Sequence, residues 1–192
     1  MTPIEGRRRF LQLLLAAGAS ACAARPGFAQ AVETPVAEAA PPPERSLMLF
    51  NTHTRESLDL VFRSGKEYVP ETLKAFSNLL RDHRNGASHD MDPGLFDQLA
   101  DLAQAAGVDA HYEIISGYRS SESNSKMAAR EGSGVSKNSL HMQGRAIDVR
   151  LRGCPTERLW KLALDAKRGG VGYYKRSDFV HVDTGRFRTW TG

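Results

Sequence analysis

Two imidazoles and a carboxylate, His141, Asp148 and His181, each stand on or beside a short run that alternates like a β-strand. That arrangement constrains the fold more than any other feature of the chain. Residues 145–151 read as a strand because Ile147, Val149 and Leu151 alternate with Ala146, Asp148 and Arg150. Asp148 then stands on one face with the small Ala146 beside it. Gly144 has no side chain, so the backbone can turn sharply and bring His141 back toward Asp148. Residues 179–183 read as a second short strand, with Phe179, His181 and Asp183 on one face and Val180 and Val182 on the other. A histidine inside such an apolar strand needs a polar partner once it is buried.

Taken singly, these residues have ordinary readings. A lone strand histidine is usually a satisfied core residue, and Asp148 can pair with Arg145 or Arg150. Taken together, two His and one Asp suit a divalent zinc with a fourth position left for water. That is the pattern of a catalytic rather than a structural site, and the chemistry it implies is metal-assisted hydrolysis with one zinc per chain. His53, His83, His89 and His111 fall outside the pattern and read as surface or loop residues.

The motif built from Ser139, His141, Gly144, Ala146 and Asp148, followed by Asp178 and His181, resembles the D-Ala-D-Ala peptidase and murein endopeptidase group of zinc peptidases, most closely its murein endopeptidase K-like members. Residues 92–99, 115–120, 169–174 and 179–185 carry the likeness further, so that it spans about residues 47–190. The resemblance implies zinc held by His141, Asp148 and His181. It implies a general base at Asp178, three residues before the last ligand, with Asp183 as the rival base or an orienter of a ligand. It implies that Arg119 binds a substrate carboxylate or stabilises an oxyanion through its fork of donors. Ser139 and Tyr118 are expected to touch substrate; Tyr118, Tyr173 and Tyr174 read equally as groove lining or as core. Read without the resemblance, Asp178 is a cap on its own turn.

The first 29 residues read as an address rather than as structure. Arg7, Arg8, Arg9, Phe10 and Leu11 fit a twin-arginine export signal, followed by an alanine-rich apolar stretch too short for a good membrane span. Cleavage after Ala29 is the first choice, and a partial lipoprotein box ending at Cys22 is the rival. The expectation is a periplasmic protein, delivered by the twin-arginine machinery, with no integral membrane segment in the mature chain. Export in the folded state suits a metalloprotein. The segment holds four Arg and one Glu, so the 26 basic and 22 acidic residues of the whole chain become 22 and 21, and the net charge falls from +4 to +1. That balance gives no case for nucleic acid as a partner. Only Cys154 is left after cleavage, which rules out an internal disulfide.

Residues 30–46 are rich in Ala, Pro and Glu, without apolar period, and read as a tether. Residues 47–192 suit one peptidase domain. A strand pair is expected over 47–52 and 58–62, and helices over 70–84, 92–107, 121–130 and 156–168. The helix over 92–107 starts from Asp92 as cap and Pro93 and stops at Gly107; Gly169 is expected to end the one over 156–168. A further strand is expected over 112–116. Strands clustering with helices, without regular βαβ alternation, argue an α+β fold. The resemblance implies a small antiparallel sheet carrying the zinc site, flanked by helices. The leading function is a zinc murein endopeptidase acting on peptidoglycan stem peptides. The alternatives are a D,D-carboxypeptidase on stem peptides and a catalytically silent zinc-bearing murein-binding module.

Overall fold

The computed structural model describes residues 43–131 and 134–192. The segments read as export signal, with the rival processing site at Cys22, and most of the tether lie outside the described residues. The strand β1 (Glu44–Asn51) already begins inside the stretch read as tether. It pairs antiparallel with β2 (Ser57–Ser64), which pairs with the two-residue β3 (Glu67–Tyr68). Helix α1 (Pro70–Leu79) follows, then α2 (Pro93–Ala106), β4 (His111–Ser116) and α3 (Ser121–Ala128). A 3₁₀ turn over Leu140–Gln143 leads into β5 (Ala146–Leu151), α4 (Thr156–Ala166), β6 (Gly170–Tyr174), β7 (Phe179–Asp183) and β8 (Arg188–Thr191).

The eight strands form one sheet in the order β3-β2-β1-β4-β5-β7-β6-β8. The α+β class holds, but the sheet is neither small nor purely antiparallel, because β1 pairs parallel with β4 and β6 pairs parallel with β8. The physical reason is that β1 and β4 are joined through α1 and α2. A long connection of this kind can return the chain in the same direction, whereas a hairpin cannot. Strand β7 returns antiparallel to β6, and β8 then crosses to the far side of β6 and runs parallel to it at the edge.

Strand alternation sorts the residues of this sheet into two faces. Leu47, Leu49, Phe62, Tyr112, Ile114, Ile147, Val149, Val171, Val180 and Val182 are buried in one apolar cluster with Phe76 of α1, Leu95, Phe96 and Leu99 of α2 and Leu159 and Ala163 of α4. These three helices therefore cover one face. Asp148, His181 and Asp183 lie on the other, one residue out of phase with the valines. Among the described residues no helix is long and apolar enough to cross a membrane.

Local signals set most helix ends. The Asp92 carboxylate accepts from Gly94 N at 2.9 Å, Pro93 opens α2, and Gly107 closes it in the left-handed region at φ 68°. Helix α4 ends on Lys167, at φ 51°, two residues before the expected Gly169. Helix α1 ends at Leu79 rather than Arg84. The carboxylate of Asp82, just beyond it, is fully buried and accepts from Ser120 N at 3.0 Å and Ser120 Oγ at 2.9 Å. The chain leaves the helix to make that contact.

Candidate active site

The 3₁₀ turn ends at Gly144, whose φ of 65° and contact with Asp90 O, where a Cβ would come within 2.2 Å, leave room for no side chain. Arg145 N donates to Leu140 O and Met142 N to Ser139 O, so the turn folds compactly before β5. His141 is thereby carried over the sheet toward Asp148, as the glycine had suggested. On the sheet itself, register pairs Asp148 with His181 across β5 and β7.

One nitrogen of each histidine and one carboxylate oxygen of Asp148 lie within 4.8 Å of one another. His141 Nε2 is 3.2 Å from His181 Nδ1, His181 Nδ1 is 2.8 Å from Asp148 Oδ1, and His141 Nε2 is 3.4 Å from Asp148 Oδ1. The outward nitrogens are engaged elsewhere. His141 Nδ1 lies 2.7 Å from Gly117 O, and His181 Nε2 lies 3.1 Å from Asp183 Oδ2. Each ring can place its proton on that outward nitrogen and leave a lone pair facing the other two groups. Three buried lone-pair donors converging in this way repel one another unless a cation lies among them. The donor set, two imidazoles and a carboxylate, is the one zinc takes in sites that keep an open position, so the residues fit the metal.

The charges in this cluster follow from burial and contact. Burial acts to raise the Asp148 carboxyl, but the His141 and His181 rings hold it far below the usual carboxylate range. Burial pushes the His141 imidazole down, with Asp148 opposing. Burial also acts downward on His181, where the Asp148 and Asp183 carboxylates outweigh it and raise the imidazole.

Asp183 is fully buried and heavily engaged. Besides His181, it accepts from Gly170 N at 2.8 Å, Gly185 N at 2.8 Å, and both terminal nitrogens of Arg188, at 3.1 and 2.6 Å. Such a carboxylate fixes the His181 ring and tautomer. Arg119 is brought to the cluster by the strand end of β4. A bulge there leaves Ile115 out of the register and sets Ser116 opposite Asp148. Arg119 N donates to His141 O at 3.1 Å, and its Nη2 lies 3.9 Å from Asp148 Oδ2. The guanidinium is buried, yet its Nε has no hydrogen-bond partner. A buried donor left without a partner is rare in folded chains.

Asp178 sits apart from the cluster. It has φ 51°, its Oδ1 accepts from Thr156 Oγ1 at 2.5 Å, and its Oδ2 lies 3.5 Å from Arg150 Nε. The side chain is turned toward Thr156 at the start of α4 and toward Arg150, rather than capping its own turn. Tyr118 is half-buried and stacks on His89 with centroids 5.2 Å apart. Ser139 precedes the 3₁₀ turn, and its hydroxyl makes no cap bond there. Tyr173 packs on Trp160 at 5.0 Å, on the helix-covered face. Two contributions were not read from the sequence: the carbonyl of Gly117, which orients His141 although the residue lies within the likeness over 115–120, and Asp82, which anchors Ser120 beside Arg119. Both are long-range contacts of polar loops.

This buried cluster of two imidazoles and a carboxylate, with the unpartnered Nε of Arg119 beside it, offers the donor set that metal-dependent hydrolases use. The chain belongs to the family described as peptidoglycan L,D-endopeptidase MepK, whose model matches residues 39–190. It is 43% identical over 149 residues to the peptidoglycan L,D-endopeptidase MepK of Escherichia coli (strain K12), covering 78% of this chain and 81% of that relative. The Shigella flexneri protein of the same name matches equally. The probable peptidoglycan L,D-endopeptidase MepK of Haemophilus influenzae is 42% identical over 152 residues, covering 79% of this chain and 81% of its own length. No solved structure matches the chain.

Proposed function

We propose that this chain is a zinc-dependent murein endopeptidase that hydrolyses peptide cross-links of peptidoglycan, and that the bond it cuts is of the L,D type named for its relatives. The observation that carries the zinc reading is the convergence of His141, Asp148 and His181 inside 4.8 Å, with both outward ring nitrogens already engaged. Zinc bound there supplies Lewis acidity toward the scissile carbonyl and the attacking water.

The chain's own residues supply the rest. Gly117 and Asp183 hold the two rings in the tautomers that ligation needs. Arg119, with its unpartnered Nε, receives a substrate oxygen, and Ser139, two residues before His141, and Tyr118, between Gly117 and Arg119, are its proposed neighbours in substrate binding. For proton transfer we propose Asp178, acting after its side chain turns off Thr156. The support is its place three residues before His181 and its exposed turn. Asp183 has no free acceptor capacity, which favours the orienting role for it. We further propose that the chain works in the periplasm after twin-arginine export, supported by the Arg7–Leu11 pattern; fractionation of a precursor carrying Arg7→Lys and Arg8→Lys checks that route.

Digestion of purified muropeptide dimers and of tetrapeptide and pentapeptide monomers, with mass analysis, tests the activity. Cleavage of the dimers at an L,D bond is expected. Release of a terminal D-Ala from pentapeptide monomers alone indicates the carboxypeptidase, and intact substrates throughout indicate the silent binding module.

A further inference from the structure

One row of residues runs straight across the face of the sheet opposite α1, α2 and α4. Register sets Ser116 opposite Asp148, Asp148 opposite His181, His181 opposite Gly172, and Gly172 opposite Trp190. The side chain missing at Gly172 is replaced by an indole. A Cβ at that position would fall 2.5 Å from Trp190 Cε2. Trp190 therefore leans across β6 until its ring stands 5.0 Å from the His181 ring, tilted by 54°.

The indole is held in that pose. Trp190 Nε1 donates to Tyr174 Oη at 3.0 Å, and Tyr174 stacks on Phe179 with centroids 4.5 Å apart and planes 16° off parallel. Phe179 shares the face of His181, and Tyr174 shares that of Gly172. The Arg188 guanidinium lies 5.1 Å from the Trp190 ring, but both its terminal nitrogens donate to Asp183. It fixes the tilt of the indole and has little left for a substrate anion.

All three rings are only half-buried. Helix α4, which packs on β6 and β7, lies on the opposite face, where its Trp160 stacks with Tyr173. Helices α1 and α2 likewise pack on that opposite face, away from Trp190, Tyr174 and Phe179. A rigid aromatic ridge left half-exposed beside reactive groups is suited to a ligand with apolar surface, because the ring offers a large contact area with few rotamers to freeze. Its only N–H is already satisfied, so the occupant need bring no polar partner.

We propose that Trp190, backed by Tyr174 and Phe179, is a substrate-binding wall that packs against the aliphatic side arm of a stem-peptide residue next to the scissile bond, and that it selects for that arm. This rests on the endopeptidase reading of the cluster. Gly172 is part of the device, since any side chain there would displace the indole.

Steady-state cleavage of cross-linked muropeptide dimers by the zinc-loaded chain tests the wall. Trp190→Leu is expected to raise KM about tenfold with kcat within about twofold and zinc content unchanged, and Trp190→Phe to recover part of the loss. Against synthetic dimers whose side arm next to the bond is cut back to a methyl, the wild type is expected to lose about tenfold in kcat/KM and Trp190→Leu little more. An unchanged KM, or equal discrimination by wild type and variant, overturns the proposal. Loss of zinc from both variants also overturns it and makes Trp190 a support for His181. In a Trp160→Phe background Trp190 is the sole tryptophan, and its fluorescence is expected to shift saturably as muropeptide dimer is added. No shift overturns the wall. If the Trp160→Phe chain shows the shift while neither it nor the wild type cleaves the dimer, the wall stands and the endopeptidase reading fails.

Discussion

The two faces of the sheet are built from the same strands and do opposite work. Along β7, Val180 and Val182 are sealed against α4, while His181 and Asp183, one residue away, carry the cluster and its support. Along β5, Ile147 and Val149 lie in the core and Asp148 lies among the ligands. The helix-covered face holds its groups chiefly by apolar burial, with a directional bond such as that from Tyr112 Oη to Leu99 O added to it. The other face buries charges, and almost every one is tied by two or more hydrogen bonds. Stability and chemistry are thus separated by a single residue step, and substitutions on the two faces should fail in different ways.

The largest effects belong to the ligand face. His141→Ala, Asp148→Ala and His181→Ala should each lose bound zinc and about 10⁴-fold in muropeptide cleavage, since zinc supplies several kcal/mol of barrier lowering. Elemental analysis checks the metal, and a variant that stayed loaded would break the assignment. The melting temperature of the apo proteins should move little, because the core face is untouched.

The two aspartates near His181 sharpen the same division. Asp178→Asn should keep zinc and lose about 10²–10⁴-fold in turnover if it takes the water proton. Near-normal turnover would leave it as the anchor that its bond to Thr156 describes. Asp183→Asn should weaken zinc affinity by about 10–100-fold through the orientation of His181, read by competition with a chelator.

On the covered face, Ile147→Ala should cost about 2–5 kcal/mol of stability, because it leaves a cavity in a filled core. Denaturant unfolding measures that loss, and the folded fraction should cleave with an unchanged kcat. A fall in kcat as large as the ligand variants show would mean the two faces are not separable.

The smallest effect concerns the loop that carries Arg119. Burial acts to raise the Asp82 carboxyl, but bonds from Ser123, Ser120 and Arg84 hold it at about 2, against an ordinary 3.8. Folding therefore favours its ionised form. This contribution, about 2 kcal/mol, is complete above pH 4, fades as pH falls toward 2 and is gone below that. Asp82→Asn should flatten the acid side of the stability curve over that window, followed by unfolding midpoint against pH. An identical acid limb in variant and wild type would remove Asp82 from that role.

What could be read from the chain and what could not follow the range of the forces involved. The alternation in 145–151 and 179–183, the cap at Asp92 with Pro93, and the stop at Gly107 are local, and each appears in the structure where the residues suggested it. Strands β6 and β8 were hidden, because Gly170 and Gly172 blur the period of one and the other is four mostly polar residues near the chain end. The shortened α1 was hidden too, since its end is decided by the bond from Asp82 to Ser120, thirty-eight residues away. Asp178 shows the limit most sharply: spacing put it near His181, and the turn directs its carboxylate to Thr156. By itself the sequence determined which side chains share a strand face, since a period of two is a property of neighbours. Only the tertiary structure decided which strands lie side by side, which nitrogen each histidine turns inward, and that Trp190 fills the gap over Gly172. Those outcomes depend on register between distant segments, which no local pattern encodes.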